Sequence, residues 1–345
     1  MAARRSRAGT RRVAAAGRSG AGARRAAFAL AATIALAAVL AASAGAGPRC
    51  FGAAARDPQH RCANPRLARV VTPTPDEALL DPNFPCTKRK LTPAATECAF
   101  GAPAERATAT VALIGDSHAQ HWRSALAVPA ERRGWRVLDV SGPLCMFSTA
   151  TTGAGPPFDQ ACGQWNADVL AWLGAHPEIH TIFTAGKRRQ FVRPAPGQSG
   201  FDARREGYKA RWATLPSTVT SIVVIRDAPP EDVRTKDCVR RRIAHHRTLT
   251  RACAVPRRHV LRPDPAVAAA RESGAHVIDL TPQFCDARRC YPVIGSALVH
   301  KDADHLTQVF ARTLGPFLDR AYGALTISST PAPTVTSVEV TAGSE

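Results

Sequence analysis

The chain has 345 residues, 45% of them hydrophobic and 6% aromatic, which suits one large α/β domain or two small ones. Its formal net charge of +19 first suggests a nucleic-acid partner. Eight of those charges are arginines in the first 25 residues (Arg4, Arg5, Arg7, Arg11, Arg12, Arg18, Arg24, Arg25), and the other basic residues are scattered or in short clusters such as Lys88–Lys90 and Arg240–Arg242, without interleaved aromatics. That distribution argues against nucleic acid and for a basic surface suited to an anionic envelope.

The first element is an uncharged apolar run from Ala26 to Ala46, near the roughly 20 residues that cross a bilayer. An arginine-rich flank, an apolar core and small residues around Ala42-Ser43-Ala44 also fit a secretory signal with a cleavage site. Residues 1–46 are therefore expected to be a signal peptide or an N-terminal membrane anchor. Either leaves the rest of the chain outside the cytoplasm, with the arginines inside. Residues 47–107 hold four cysteines and many prolines with little periodicity, and read as an extended, stapled lead-in.

Ten cysteines agree with an oxidising compartment. Their spacing suggests local pairs: Cys50 with Cys62, Cys86 with Cys98, Cys145 with Cys162, Cys238 with Cys253, and Cys285 with Cys290, although spacing does not fix connectivity. No CxxC occurs, and histidines do not accompany the cysteines at finger-like spacing, so metal ligation is the weaker reading.

Short Val/Ile/Leu-rich strands are expected at Thr108–Ile114, Arg136–Val140, His180–Thr184, Ser221–Ile225 and His276–Leu280. Helices are expected after Ser117, over Cys162–Ala175 and Ala266–Ser273, and from His305 to Tyr322. In the last, Leu306, Val309, Phe310, Leu314, Phe317 and Leu318 recur at helical spacing as a core stripe. This alternation predicts a three-layer α/β/α sandwich over residues 108–325 with a mainly five-stranded parallel sheet. The Thr/Ser/Pro-rich residues 326–345 read as a disordered tail.

Within "VALIGDSHAQHW", Ser117 lies just past the first strand, at the sheet end where active sites form. It is also where a helix cap belongs. A serine nucleophile needs a base and an orienting partner. "VHKDADHLT" offers both: His305 to take the Ser117 proton, and Asp302, three residues away, to hold the imidazole. The competing reading is that Asp302 or Asp304 caps the last helix. Asp116 reads as a brace for the Ser117 turn, His118 as a substrate or pocket contact or a packed residue, and His121 and Trp122 as packing.

"GDSHA" and "DADHLT" resemble the first and last blocks of the SGNH (GDSL-type) hydrolase superfamily. "IRDAPP", the segment from Cys238 to Cys253 and "DLTPQFCDARRCYPVIGSALVHKDADHLT" are similar, more narrowly, to the SGNH domain fused to bacterial acyltransferase-3 membrane proteins. The likeness covers about residues 108–322 and implies a flavodoxin-like fold, the catalytic set Ser117, Asp302 and His305, and no metal or organic cofactor. It also implies an oxyanion hole from the Ser117 N–H and Gly142, the latter also readable as an ordinary turn before Pro143. The family's further donor is an asparagine in a Gly-x-Asn-Asp block, but this chain reads "FTAGKRRQF". There the Gly186 N–H, or the side chains of Lys187, Arg188 or Gln190, are the alternatives. Losing one such donor costs about 3–4 kcal/mol of barrier.

The function expected is an extracytoplasmic serine esterase or O-acyltransferase for acyl, above all acetyl, groups of envelope carbohydrate. Its partners are a glycan or small acyl ester and a separate membrane acyltransferase. The alternatives are a lipid or aryl esterase on the same scaffold, and a degenerate SGNH domain that only binds glycan.

Overall fold

The computed structural model describes residues 49–328 apart from Arg61, Val233 and Thr250. The apolar run at 26–46 and all but the start of the C-terminal tail lie outside the described residues. Among those described, no helix is long and apolar enough to cross a membrane.

Seven strands form the main sheet: β1 (Thr87–Lys90), β2 (Thr96–Gly101), β3 (Ala109–Gly115), β4 (Trp135–Ser141), β5 (Ile179–Ala185), β6 (Ser221–Ile225) and β7 (His276–Ile278). Their order is β1-β2-β4-β3-β5-β6-β7. The last five in chain order pair in parallel, as the alternation predicts, while β2 runs antiparallel to β4 and β1 antiparallel to β2. The two antiparallel strands come from the segment read as a lead-in, so the sheet is two strands wider than the five expected.

The flanking helices are α1 (Ser117–His121), α2 (Arg123–Arg133), α3 (Pro156–Gly174), α4 (Gly200–Trp212), α5 (Thr235–Ala244), α6 (Pro265–Ser273) and α7 (Gln308–Ser328). A strand buried on both faces reads as a continuous apolar run rather than an alternation, and β3 shows how the run divides. Val111 and Leu113 join the core of α2 and α7. Ala112 and Ile114 join the opposite core, with Trp165 and Val169 of α3, Tyr208 and Trp212 of α4, and Val267 and Ala270 of α6.

The expected stripe on the last helix is core: Phe310, Leu314, Phe317 and Leu318 are buried. That helix begins at Gln308, three residues later than expected. Thr307 Oγ1 accepts from Phe310 N at 3.1 Å, and Asp81 Oδ2 from the lead-in accepts from Gln308 N. These partners satisfy N–H groups that a helix start leaves open, so neither Asp302 nor Asp304 is the cap. α7 lies close on α2 because Gly315 has no side chain; a Cβ there would run into Val128. Its backbone continues to Ser328, three residues into the segment read as tail.

All five expected local disulfides form, and no cysteine is free among the described residues. Cys50 is bonded to Cys62 and Cys145 to Cys162, and the bond of Cys86 to Cys98 ties the approach to β1 onto β2. The last two, Cys238 with Cys253 and Cys285 with Cys290, are more than the separate local staples that their spacing suggests. Val255, two residues after Cys253, pairs with Cys290 in a short antiparallel ladder that also joins Pro256 to Arg289. Cys253, Cys285 and Cys290 are buried, so the first bridge is anchored in packed structure at one end and the second at both, and the ladder links the two stapled segments. Two such short runs have no apolar alternation to announce them as strands. Disulfides in such number belong to oxidising compartments.

One charged pair is buried within the sheet. Asp139 on β4 is fully buried and bonds the Nε of Arg123, the first residue of α2. Removing one partner leaves an uncompensated charge, whereas replacing both with apolar groups of similar volume does not. Asp139→Asn is expected to lower unfolding free energy by about 3 kcal/mol or more in urea titrations. The double variant Arg123→Met/Asp139→Leu is expected to cost less, and an equal cost would show that the pair is not isolated from water.

Candidate active site

Ser117 is positioned by the end of β3. Gly115 pairs with Ser141 of β4 on one side and Ala185 of β5 on the other. A Cβ at Gly115 would run into the Ala185 carbonyl oxygen, so only glycine lets the strand finish there. Asp116 then caps α1. It is buried, and its two carboxylate oxygens accept from the His118 and Lys187 backbone N–H groups, each at 2.8 Å. Burial raises its pKa, against the pull of His118 and these hydrogen bonds.

The segment from the far end of the domain arrives as one loop. Asp302 Oδ1 accepts from the backbone N–H groups of Asp304 and His305, at 3.0 and 2.8 Å. The Ala303 carbonyl accepts from Glu231 N at 2.8 Å. His305 Nδ1 lies 2.8 Å from Asp302 Oδ2, and its Nε2 lies 2.8 Å from Ser117 Oγ. A carboxylate only accepts, so Nδ1 carries the proton and Nε2 presents a lone pair to the serine hydroxyl. Burial works to raise the Asp302 pKa, but the His305 side-chain and backbone hydrogen bonds outweigh it and hold the group well below the usual carboxylate range. Residues 188 positions apart thus meet in one hydrogen-bonded line.

A second charged line lies beneath the first. His118, 1% exposed, is bonded through Nδ1 to Asp227 Oδ1 at 2.7 Å, and its Nε2 lies 3.8 Å from Asp304 Oδ1. Asp304 Oδ2 pairs with Lys187 Nζ at 2.6 Å, and its Oδ1 lies 3.4 Å from His305 Nδ1. Asp227 also accepts from Arg188 N at 2.9 Å and donates its own N–H to Asp264 Oδ2 at 3.0 Å. Desolvation favours the neutral imidazole, but Asp227 and Asp304 outweigh it and push the His118 pKa up to about 10. The nearby His118 imidazolium, against desolvation and together with Lys187, holds Asp304 well below the usual range. Desolvation and nearby cations push His121 the other way, well below 6.5; its Nδ1 accepts from Leu306 N at 3.4 Å.

The donor atoms of His118, Asp304 and His305 lie within 4.8 Å of one another, a spacing a metal ion could use. Two cations, the His118 imidazolium and the Lys187 ammonium, already flank Asp304, so this donor set suits a metal poorly.

Several expected roles need correction. The Gly142 N–H donates to Gly115 O at 3.0 Å and extends the β3–β4 ladder, so it is not the free oxyanion donor expected. Glycine is required there for packing, because a Cβ would meet the Trp165 ring at 2.8 Å. Gly186 is buried, and a Cβ there would lie 2.7 Å from the Tyr208 hydroxyl and 3.5 Å from Asp116 Oδ2. Arg188 turns to the Val260 carbonyl and Gln190 to the Leu144 carbonyl, so of the three side-chain alternatives Lys187 alone reaches the loop of Asp302–His305. Sequence reasoning assigns no role to Asp227, whose one visible signal is the "IRDAPP" segment following a strand, and reads Asp304 only as a cap candidate within "DADHLT", not as a bridge.

The His118 charge has a stability consequence. Its folded pKa of about 10 exceeds the ordinary 6.5. The stabilisation is therefore full below about 6.5 and is lost as pH rises towards about 10. In urea titrations over that window the wild type is expected to lose stability with a slope about one proton steeper than His118→Gln. Parallel slopes would mean that His118 is neutral in the folded protein.

The family model described as the SGNH domain fused to AT3 domains matches residues 85–320. Three solved structures are similar to the chain. The periplasmic domain of a lipopolysaccharide acetyltransferase from Salmonella ser. Paratyphi A is 12% identical with a TM-score of 0.49, over 64% of this chain and 85% of that one. LAE5, an alpha/beta hydrolase from the metagenome of Lake Arreo, Spain, is 13% identical with a TM-score of 0.36, over 64% and 97%. A mutant of Axe2, an acetyl-xylooligosaccharide esterase from Geobacillus, is 12% identical with a TM-score of 0.36, over 65% and 96%. No curated protein matches the chain. The family match begins at residue 85, just ahead of β1, and so takes in the two antiparallel strands as well as both ends of the hydrogen-bonded line. On that match the chain belongs to the SGNH domains of the kind fused to AT3 domains, and is an ester-acting enzyme of the SGNH hydrolase type.

Proposed function

We propose that the protein is an extracytoplasmic serine esterase or O-acyltransferase acting on acyl groups, in particular acetyl, of cell-envelope carbohydrate. The observation that carries the chemistry is the line Ser117–His305–Asp302, with both hydrogen bonds at 2.8 Å. The envelope setting draws on the disulfides, on the family's association with acyltransferase-3 membrane domains, and on the apolar run at 26–46 as signal or anchor.

Ser117 Oγ attacks the carbonyl carbon of the ester while His305 Nε2 takes its proton. Asp302 stabilises the resulting imidazolium and keeps the ring oriented. The Ser117 N–H opens α1, where the helix offers it no acceptor, and faces the developing oxyanion. Collapse breaks the bond to the leaving oxygen, which receives the proton from His305 and leaves an acyl-serine. A second hydroxyl then attacks the acyl carbon as His305 takes its proton and returns it to Ser117. Water in that step gives an esterase; a sugar hydroxyl gives a transferase. In this scheme Asp116 and His118 touch no substrate: they brace the serine turn and the loop that carries the base.

A domain that only binds glycan has no need of an aligned hydroxyl, imidazole and carboxylate. Wild-type protein is expected to be labelled by a fluorophosphonate probe and Ser117→Ala not. Asp302→Asn is expected to retain its fold and lower kcat on p-nitrophenyl acetate by about 10⁴-fold. A folded wild type that never labels would favour the binding domain, and faster turnover of long-chain than of acetyl esters would favour a lipid esterase.

A further inference from the structure

Strand β1 reads Thr87-Lys88-Arg89-Lys90 and is exposed throughout. Side chains alternate along a strand, so Lys88 and Lys90 share one face and Arg89 takes the other. Arg89 is occupied, with its Nη2 2.8 Å from Glu97 Oε2. Lys88 and Lys90 stand opposite Cys98 and Thr96. All four line a cleft of about 650 Å³.

The cleft opens at the end of the sheet where the serine lies. Because β2 is antiparallel to β4, its start at Thr96 and the end of β1 at Lys90 sit at the carboxyl end of β4. The opposite wall includes Gln120, one helical turn beyond Ser117 on α1, and Pro143, which follows the Ser141–Gly142 end of β4. Asn83 ties the walls together: its amide donates to Gln120 Oε1 at 3.3 Å, and its Oδ1 accepts from Lys301 Nζ at 3.0 Å. Lys301 directly precedes Asp302.

The charge in this cleft is unbalanced. Among the described residues no carboxylate lines it. Arg123 reaches it but is neutralised by Asp139. Lys90 donates to Pro93 O at 2.9 Å, while Lys88 has no hydrogen bond or ion pair among the described residues. Lysines on an edge strand also deter edge-to-edge pairing. That purpose is indifferent to which face they take, whereas here both turn to the cleft.

We propose that the cleft is a glycan subsite for a sugar bearing a carboxylate or phosphate, held by Lys88 and Lys90 beside the ester presented to Ser117. This deepens the carbohydrate reading above and rests on it for the ester. The two ammonium groups meet the anion as point charges. The amides of Asn83 and Gln120 suit sugar hydroxyls, and Phe84 and Pro143 give the ring an apolar surface.

The test is calorimetric binding to the full chain carrying Ser117→Ala, which needs no turnover. The probes are tetragalacturonate for a carboxylate, a poly(glycerol phosphate) oligomer for a phosphate, and neutral xylotetraose. At least one anionic probe is expected to bind about tenfold more tightly than xylotetraose, and the tighter of the two identifies the anion. Lys88→Gln/Lys90→Gln is expected to remove that preference with an unchanged unfolding midpoint, and Lys88→Arg/Lys90→Arg to restore it. The proposal is overturned if neither anionic probe binds, if xylotetraose binds as tightly, or if the glutamine variant binds like its parent. Fluorophosphonate labelling of the wild type reports separately on the enzyme reading, so a failure of one is distinguishable from a failure of the other.

Discussion

The bond between Ser117 and His305 depends on where β3 stops. Central in the sheet and paired on both sides, β3 cannot slide without turning Val111 and Leu113 out of one core and Ala112 and Ile114 out of the other. Its end therefore lies at a fixed height, and Gly115 lets it pass the Ala185 carbonyl. The other partner is fixed from the opposite direction. α7 packs on α2 through Phe310, Leu314 and Gly315, and the loop before it is folded around Asp302 Oδ1. The Ser117 hydroxyl and the His305 imidazole meet because two rigid elements end at the same place, with Ser117 two residues past β3 and His305 three residues ahead of α7.

What was legible in the sequence follows from how local each signal is. The parallel strands announce themselves as apolar runs, and the serine and histidine–aspartate blocks as short motifs in which every residue has a local job. The five disulfides join neighbours in sequence, whereas the ladder that sets Val255 against Cys290 joins residues far apart and left no trace in the spacing. Similarly, β1 is four exposed polar residues, recognisable as a strand only through its pairing to β2. α4 hides because its buried residues, Ala203, Gly207, Tyr208 and Trp212, are few and spread among charges. The Gly142 donor was misplaced for a related reason: a glycine after a strand looks alike whether its N–H faces a ligand or continues the ladder. Asp227 meets His118 across 109 residues of chain, a contact no window of sequence displays.

The departure at "AGKRRQ" acquires a meaning from the same contacts. Where the family pattern reads Gly-x-Asn-Asp, this chain reads Gly186-Lys187-Arg188-Arg189; Lys187, at the unspecified position, binds Asp116 through its backbone N–H and Asp304 through its ammonium. One residue thereby joins the serine turn to the base loop. The segment has kept its place beside the triad while its side chain serves the loop that carries His305.

The charge count around the two imidazoles explains why that loop needs so many acids. His118 is already cationic, and its ring centroid is 4.9 Å from that of His305. In the proposed reaction His305 takes the serine proton, and two positive rings then face each other. At an effective dielectric of about 20, that repulsion is about 3 kcal/mol. Left alone, it would oppose the proton transfer on which the chemistry turns. Asp302 and Asp304 both approach His305 Nδ1, at 2.8 and 3.4 Å, and Asp227 holds the far side of His118. Three carboxylates thus accompany two imidazoles and one lysine, so the charge formed on His305 is compensated before the reaction begins.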